Sequence, residues 1–464
     1  MTDLLIKGGK VVTAEATFKA DVAVRGEKIA QIGANLKPGP GTKIVDAAGK
    51  LVLPGAIDAH THLAMPFGGT ISADDYEAGT RAAACGGTTT VFDFALQDFG
   101  ERMEDTVKRR EAICAPQAVV DYSFHVGIKD VSGDLLSSVD SCVKYGVPSF
   151  KVFMVYDFGV TDGVFYQVLE RAKRVGALVA VHAENNEMVS MFTKRFLDEG
   201  KTAPWYHYLS RPEFVEGEAD ERAIQWAKSL RAPLYIVHLA NKQGLDAVTR
   251  ARDEGYPIFA ETCPHYLHFT REVYRREDGR NWVASPPIKG KESQDALWEG
   301  LRRGDVATVA TDHCPFQQAE KDWGLHDFTK IPNGCAGIEN MYPYILSEAN
   351  KGRISFNKAV AVCATNVAKL FGLSARKGAL QPGLDADIVI YDPKKAFTIQ
   401  NSLMHGDNDH TIWEGVKLKG YPVATYSRGS LVYEDGAFLG KKGAGRFVKC
   451  KPVQITAPDI SSIK

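Results

Sequence analysis

No stretch of this sequence approaches the roughly 18 uninterrupted apolar residues of a membrane-spanning helix. The opening residues, MTDLLIKGGKVV, lack the long apolar core of a secretion signal. Neither sign of charge is in excess, since 56 Lys and Arg stand against 57 Asp and Glu. There is no long basic or acidic block, which argues against nucleic acid or a membrane surface as a partner. None of the eight cysteines forms a C-x-x-C pair, so a zinc ribbon or a disulfide framework is not expected. Internal repeats and low-complexity tracts are also lacking. These absences predict a soluble, cytoplasmic protein.

What is present is a chain of 464 residues, 44% hydrophobic and 24% charged, long enough for a large core. Residues 1–53 read as short β-branched runs broken by Gly and charged turns, such as DLLIKGGKVV and TKIVDAAGKLVLP. From 54 to 372 the texture changes. IDAHTH, TTTVFDF, VVDYSFHVGI, SFKVFMVY, ALVAVHAEN, PLYIVHLA, YPIFAETCP and VATVATDH read as buried strands, with helical stretches such as GVFYQVLERAKRVG between them. Buried strands alternating with helices imply a parallel sheet. Eight of them fit a (β/α)8 barrel of the TIM type better than an open sheet. The β texture returns over 373–440. Each β-rich end is thin for a core of its own, so both are expected to combine into one small β-sandwich beside the barrel. Residues 441–464 read as an extended arm, a candidate oligomer contact.

Chemistry concentrates at the predicted strand ends. Residues i and i+2 of a strand face the same side, so His60 and His62 in IDAHTHL aim two imidazoles at one point. That is a metal-ligand spacing, and imidazole suits zinc and similar ions. His182 ends LVAVH, His238 ends LYIVH, and Asp312 ends VATVATD. The C-terminal strand ends build the catalytic face of a (β/α)8 barrel. Four histidines and a carboxylate there predict a metal centre. Lys151 is the odd member, inside the apolar run PSFKVFMVY. Burial there disfavours its charged form, and a neutral lysine can add CO2 to become a carbamate with two ligating oxygens. The alternative is a lysine whose stem is buried and whose head reaches the strand end.

These motifs, together with MPFGGT, GGTTTVFDF, ETCPHYL, SPPI, TDHCPF and PNGCAGIEN in this order, resemble the dihydropyrimidinase/hydantoinase family of cyclic amidohydrolases over essentially the whole chain. The resemblance implies two divalent metals, usually Zn2+, bridged by a hydroxide and by carboxylated Lys151 (N6-carboxylysine). It assigns His60, His62 and Asp312 to the first metal, and His182 and His238 to the second. Asp312 becomes the proton carrier, and Tyr156 the donor to the scissile carbonyl and its oxyanion. Ser285 and Asn333 match residues that hold the ring's imide through backbone groups. Met65, Phe67, Phe153 and Phe158 match loops that gate the ring substituent, although Phe153 also reads as core. Ala64 departs from the family, where an acidic residue is common, and is not an expected ligand. Cys314 has no base assigned to it and is not an expected nucleophile. His313 is expected to point away from Asp312.

The implied reaction is hydrolytic ring opening of cyclic diamides. Dihydrouracil or dihydrothymine would give N-carbamoyl-β-amino acids, as in pyrimidine degradation, and hydantoins would give N-carbamoyl amino acids. An allantoinase-like cyclic amidase is the alternative within the superfamily. Dihydroorotase fits less well, because no cationic clamp for a substrate carboxylate can be assigned. A non-catalytic dihydropyrimidinase-like scaffold is the alternative of another class, and the complete ligand set argues against it. A homotetramer is the implied assembly.

Overall fold

The computed structural model describes residues 2–453 together with Ile455 and Ile463; the rest of the expected arm lies outside the described residues. Eight strands form one parallel sheet: β1 (Ala56–Thr61), β2 (Thr88–Leu96), β3 (Asp121–Gly127), β4 (Ser149–Phe153), β5 (Leu178–His182), β6 (Leu234–Ile236), β7 (Ile258–Thr262) and β8 (Thr308–Val309). Each expected apolar run contributes one strand. A parallel bridge from Thr61 to His313 closes the barrel, helped by the His62 N–H donating to the His313 carbonyl at 2.8 Å. Beneath this seam Asp58 Oδ1 accepts the N–H groups of both His60 and Thr311, at 3.2 and 3.1 Å.

The strands are apolar on both sides because both sides are covered. On β5, Val179 and Val181 pack outward in the main core, while Leu178 and Ala180 face a separate inner cluster with Phe92, Tyr235 and Phe259. The period of two therefore places Lys151 and His182 on the inner side. Phe371 fills the inner cluster against Phe92, His125 and Tyr235. The segment after residue 440 runs under the strand starts. Cys450 and Val453 donate to the carbonyls of Gly146 and Gly176, which precede β4 and β5.

Both chain ends share one sheet. Leu51–Pro54 pairs antiparallel with the start of Ile388–Thr398 and parallel with Lys10–Val12 in a seven-stranded sheet. A four-stranded sheet of residues 4–7, 21–25, 28–33 and 43–46 packs on it through Leu4, Ile6, Val22, Val52, Ile388 and Ile390. Only Gly55 separates Pro54 from β1, so this sandwich fixes where the His60 strand enters the barrel. Among the described residues no helix is long and apolar enough to cross a membrane.

Candidate active site

The carboxyl ends of the strands open on a cavity. His62, Lys151, His182, His238 and Asp312 line its floor, and Met65, Phe67, Phe153, Tyr156, Phe158, Ser285 and Asn333 its walls. Of the expected site residues only His60 is fully covered, just behind the floor. A wider depression of about 1510 Å³ shares Phe67, Tyr156, Phe158 and Asn333 with the cavity and leads outward.

The floor holds two groups of donors. In the first, Asp312 Oδ1 lies 3.1 Å from His60 Nε2 and 3.0 Å from His62 Nε2. In the second, His182 Nδ1 and His238 Nε2 face each other at 3.0 Å. Lys151 Nζ, 3.0 Å from His60 Nε2, sits over the rings of Phe94 and Phe153 and, among the described residues, has no carboxylate within ion-pairing distance. Burial pulls its ammonium down to about 8, against the pull of Asp312 and Glu261. Burial also drives the His62 imidazolium down to about 4 and that of His238 well below its usual value. For Asp312 burial acts upward, but the surrounding histidines outweigh it and hold the carboxyl well below the ordinary range.

Two carboxylates that the sequence reading did not single out set the tautomers. Glu261, on β7, accepts from His60 Nδ1 at 2.7 Å, which leaves Nε2 as a bare lone pair turned into the site. Glu184 accepts from His182 Nε2 at 2.8 Å and is paired with Arg211 at 2.5 Å, which leaves His182 Nδ1 turned inward. Either carboxylate could have been noticed as an acid inside an apolar strand end, the same signal that marks Lys151.

The donor set fits divalent cations. If His238 Nε2 donates to His182 Nδ1, then His238 Nδ1, buried and without a partner among the described residues, is bare. If Nδ1 carries the proton, two lone pairs oppose each other at 3.0 Å. Either arrangement leaves a buried polar atom unsatisfied, and a cation between the rings removes the conflict.

The backbone is bent at the same place. Ala64, Tyr156, His238 and Asp312 all have positive φ, at 46, 77, 39 and 51°. Each costs of order 1–3 kcal/mol and persists only where its surroundings hold it. His238 is held by its own N–H donating to Glu261 Oε1 at 3.1 Å, and Tyr156 by its N–H to Asn186 Oδ1 at 3.2 Å. Without that kink His238 would follow the alternation of Tyr235 and Val237 and point out of the barrel.

Around the walls, Tyr156 stacks on Phe158 with centroids 5.4 Å apart and meets Phe67 edge-on at 5.7 Å. Burial raises its phenol far above the ordinary value, opposed in part by Arg211 and Ser285. Phe153 serves both as wall and as packing, touching Phe158 and His182. Asn333 donates to the Ser285 hydroxyl at 2.8 Å. Leu96, Cys314 and Gly334 complete the lining, and burial pushes the Cys314 thiol well up, out of the range of a nucleophile. His313 does turn away, to Asp74 at 2.9 Å and the Gly337 N–H at 3.0 Å. His125 lies in the barrel interior, bonded to the Ala59 carbonyl at 2.8 Å.

Known proteins resemble this chain over nearly its whole length. Residues 51–432 match the model of the amidohydrolase family. The D-hydantoinase of Geobacillus stearothermophilus is 42% identical over 452 residues, 96% of each chain. A D-phenylhydantoinase of Escherichia coli O1:K1 / APEC is 40% identical over 453 residues, covering 97% of this chain and 98% of the relative. The crystal structure of the dihydropyrimidinase of Brevibacillus agri NCHU1002 superposes with a TM-score of 0.96 at 40% identity, over 98% of this chain and all of the other.

Proposed function

We propose, on the premise that the chain belongs to the amidohydrolase family and to its hydantoinase and dihydropyrimidinase members, that it opens 5-substituted hydantoins and 5,6-dihydropyrimidines to N-carbamoyl amino acids, with D-configured hydantoins preferred. Hydrolytic opening of a cyclic amide ring is the activity of this enzyme; the choice of ring and hand is the proposal. The observation that carries it is the convergence of two donor groups around Lys151 on the floor of an aromatic-walled cavity.

His60, His62 and Asp312 would hold one cation, and His182 and His238 the other. Zinc suits the imidazole and carboxylate donors, and such a pair would supply Lewis acidity for the ring carbonyl and a water acidic enough to attack near neutral pH. Lys151 joins the two groups once it is carboxylated. The ammonium first gives up one proton; the neutral amine then attacks the carbon of CO2, a nitrogen–carbon bond forms as one carbon–oxygen π bond opens, a second proton leaves the nitrogen, and a buried cation becomes an anion with two oxygens. The absence of a carboxylate partner for Lys151 Nζ among the described residues and its lowered pKa, about 8, favour that reaction. Asp312 Oδ1 faces the His60 and His62 nitrogens with which it would hold the first cation, so Oδ2 is the atom that takes a proton from the attacking water and delivers it to the leaving ring nitrogen. Tyr156 stays protonated because burial raises its pKa, and it donates to the carbonyl oxygen as charge develops there. The loops of Ser285 and Asn333 hold the rest of the ring diamide through backbone groups. Phe67, Phe153, Phe158 and Met65 enclose the substituent. A homotetramer is the assembly that goes with this reading, and sedimentation measures it.

The test is ring opening of dihydrouracil, hydantoin, a 5-aryl hydantoin and allantoin side by side, with metal measured on the same sample. Activity on the first three with about two metals per chain is expected. A fully metallated protein inert on those three, or one that opens allantoin alone, refutes the proposed substrates. Mass spectrometry of the intact native chain should also find one added CO2 that acid treatment removes.

A further inference from the structure

A short helix, Gln318–Lys321, lies beside the cavity but contributes no residue to its lining. Lys321 is buried, with 1% of its surface exposed, and no carboxylate pairs with its ammonium among the described residues. Such a charge is expensive in a core unless every proton has an acceptor. All three do. Nζ donates to the carbonyls of Val283 at 3.1 Å, Pro332 at 2.8 Å and Gly334 at 2.7 Å.

Those carbonyls belong to the two loops that carry Ser285 and Asn333. Val283 is two residues before Ser285, and Pro332 and Gly334 flank Asn333. The loops also meet directly, through the Gly334 N–H to the Val283 carbonyl at 2.9 Å and Asn333 to Ser285 at 2.8 Å. The ammonium therefore closes a ring of contacts whose outer members face the cavity. The preceding residue reaches the other wall. Glu320 caps its own helix through Gln317 N–H at 2.8 Å and accepts from the Thr70 hydroxyl, on the hairpin that carries Phe67.

We infer that Lys321 is a positioning residue for ring binding, whose ammonium fixes the spacing of the 283–285 and 332–334 loops, while Glu320 ties the substituent-gating hairpin to the same helix through Thr70. The inference rests on the proposed role of those loops in holding the ring. A methionine at 321 fills the same space and leaves three carbonyls without their donor. A glutamine supplies two N–H donors and no charge.

The experiment compares Lys321→Met, Lys321→Gln and Thr70→Val with the parent, all metal-loaded, on dihydrouracil, hydantoin and a 5-aryl hydantoin. A clamp on the ring predicts that KM rises about 10- to 100-fold for all three substrates alike in Lys321→Met, less in Lys321→Gln, with metal content unchanged and kcat within about threefold. Thr70→Val should leave KM for unsubstituted hydantoin alone and change the ratio between it and the aryl hydantoin. A purely structural lysine would instead lower the active fraction, so kcat would fall with KM unchanged, and that result overturns the inference. If Lys321→Met does not fold, Lys321→Gln with KM within twofold of the parent overturns it equally. A parent inert on all three rings would refute the proposed substrates and is read before any variant.

Discussion

Glu261 is the residue whose replacement separates charge from geometry most cleanly. Its carboxylate is fully buried and accepts from His60 Nδ1 at 2.7 Å, the His238 N–H at 3.1 Å and the Tyr235 hydroxyl at 2.8 Å. In Glu261→Gln the amide oxygen can keep the two contacts of Oε1. The new NH2 then faces Tyr235, whose hydroxyl can turn its proton to Thr308 Oγ1, 2.6 Å away. The Oε1 contacts and a partner for Tyr235 are kept, and the chief loss is the negative charge behind His60. Loss of such a partner typically weakens metal affinity about 10- to 100-fold, which is about 1.4–2.7 kcal/mol. Glu184→Gln should behave differently, because Arg211 is already neutralised by that carboxylate at 2.5 Å. Its removal strands a buried guanidinium, at about 3–5 kcal/mol of fold stability. The assay is titration of the metal-free proteins with Zn2+ or Co2+ against a competing chelator, with Tm of the apoproteins measured in parallel. The expected result is one weakened metal site and an apoprotein Tm near the parent's for Glu261→Gln, and a lowered apoprotein Tm for Glu184→Gln. Parent affinity at both sites in Glu261→Gln would refute the idea that this carboxylate sets the basicity of His60.

Three further outcomes can be checked directly. Tyr156→Phe should lower kcat about 10²- to 10³-fold with little change in KM, since the hydroxyl is needed chiefly as the carbonyl gains charge; an unchanged kcat removes it from the reaction. His405 bonds to Glu339 at 2.7 Å, chiefly a hydrogen-bond effect, and its pKa is raised above 6.5 in the fold. The folded chain thus binds more protons than the unfolded one between 6.5 and that raised value, so the pair's stabilisation is complete below about 6.5 and is lost as pH rises through the folded value. A profile of Tm against pH from 5.5 to 9 (~0.5-unit steps) should therefore be flatter in His405→Gln than in the parent, and parallel profiles contradict this. Ala64 holds φ at 46° with its carbonyl on Arg110 at 3.1 Å; Asp tolerates that conformation better than Ala, so Ala64→Asp should raise Tm. It should also shift the relative rates on differently substituted rings, and an unchanged Tm together with an identical substrate profile would refute both expectations.

Much of this site is legible before any coordinates. The eight apolar runs, their alternation with helices and the placing of His60, His62, His182, His238 and Asp312 at strand ends follow from short-range pattern, because burial on both faces leaves few residue types for a parallel strand. Lys151 stands out for the same reason, as a charge in such a run. The two β-rich ends are also readable as strands. What pattern could not supply is direction. Alternation turns Lys151 and His182 inward, but it would turn His238 outward, and only the positive φ imposed by Glu261 brings that ring back. Nor could pattern say which nitrogen of each imidazole is free, since this depends on Glu261 and Glu184 arriving from other strands. The pairing of Leu51–Pro54 with Ile388–Tyr391, and the closure of three carbonyls on Lys321, are likewise contacts between distant segments. Buried strands and the chemistry at their ends are readable from residues alone, because they depend on local composition and period. Tertiary structure alone decided where each lone pair points, because hydrogen bonds to buried groups are satisfied by whatever the fold brings within reach.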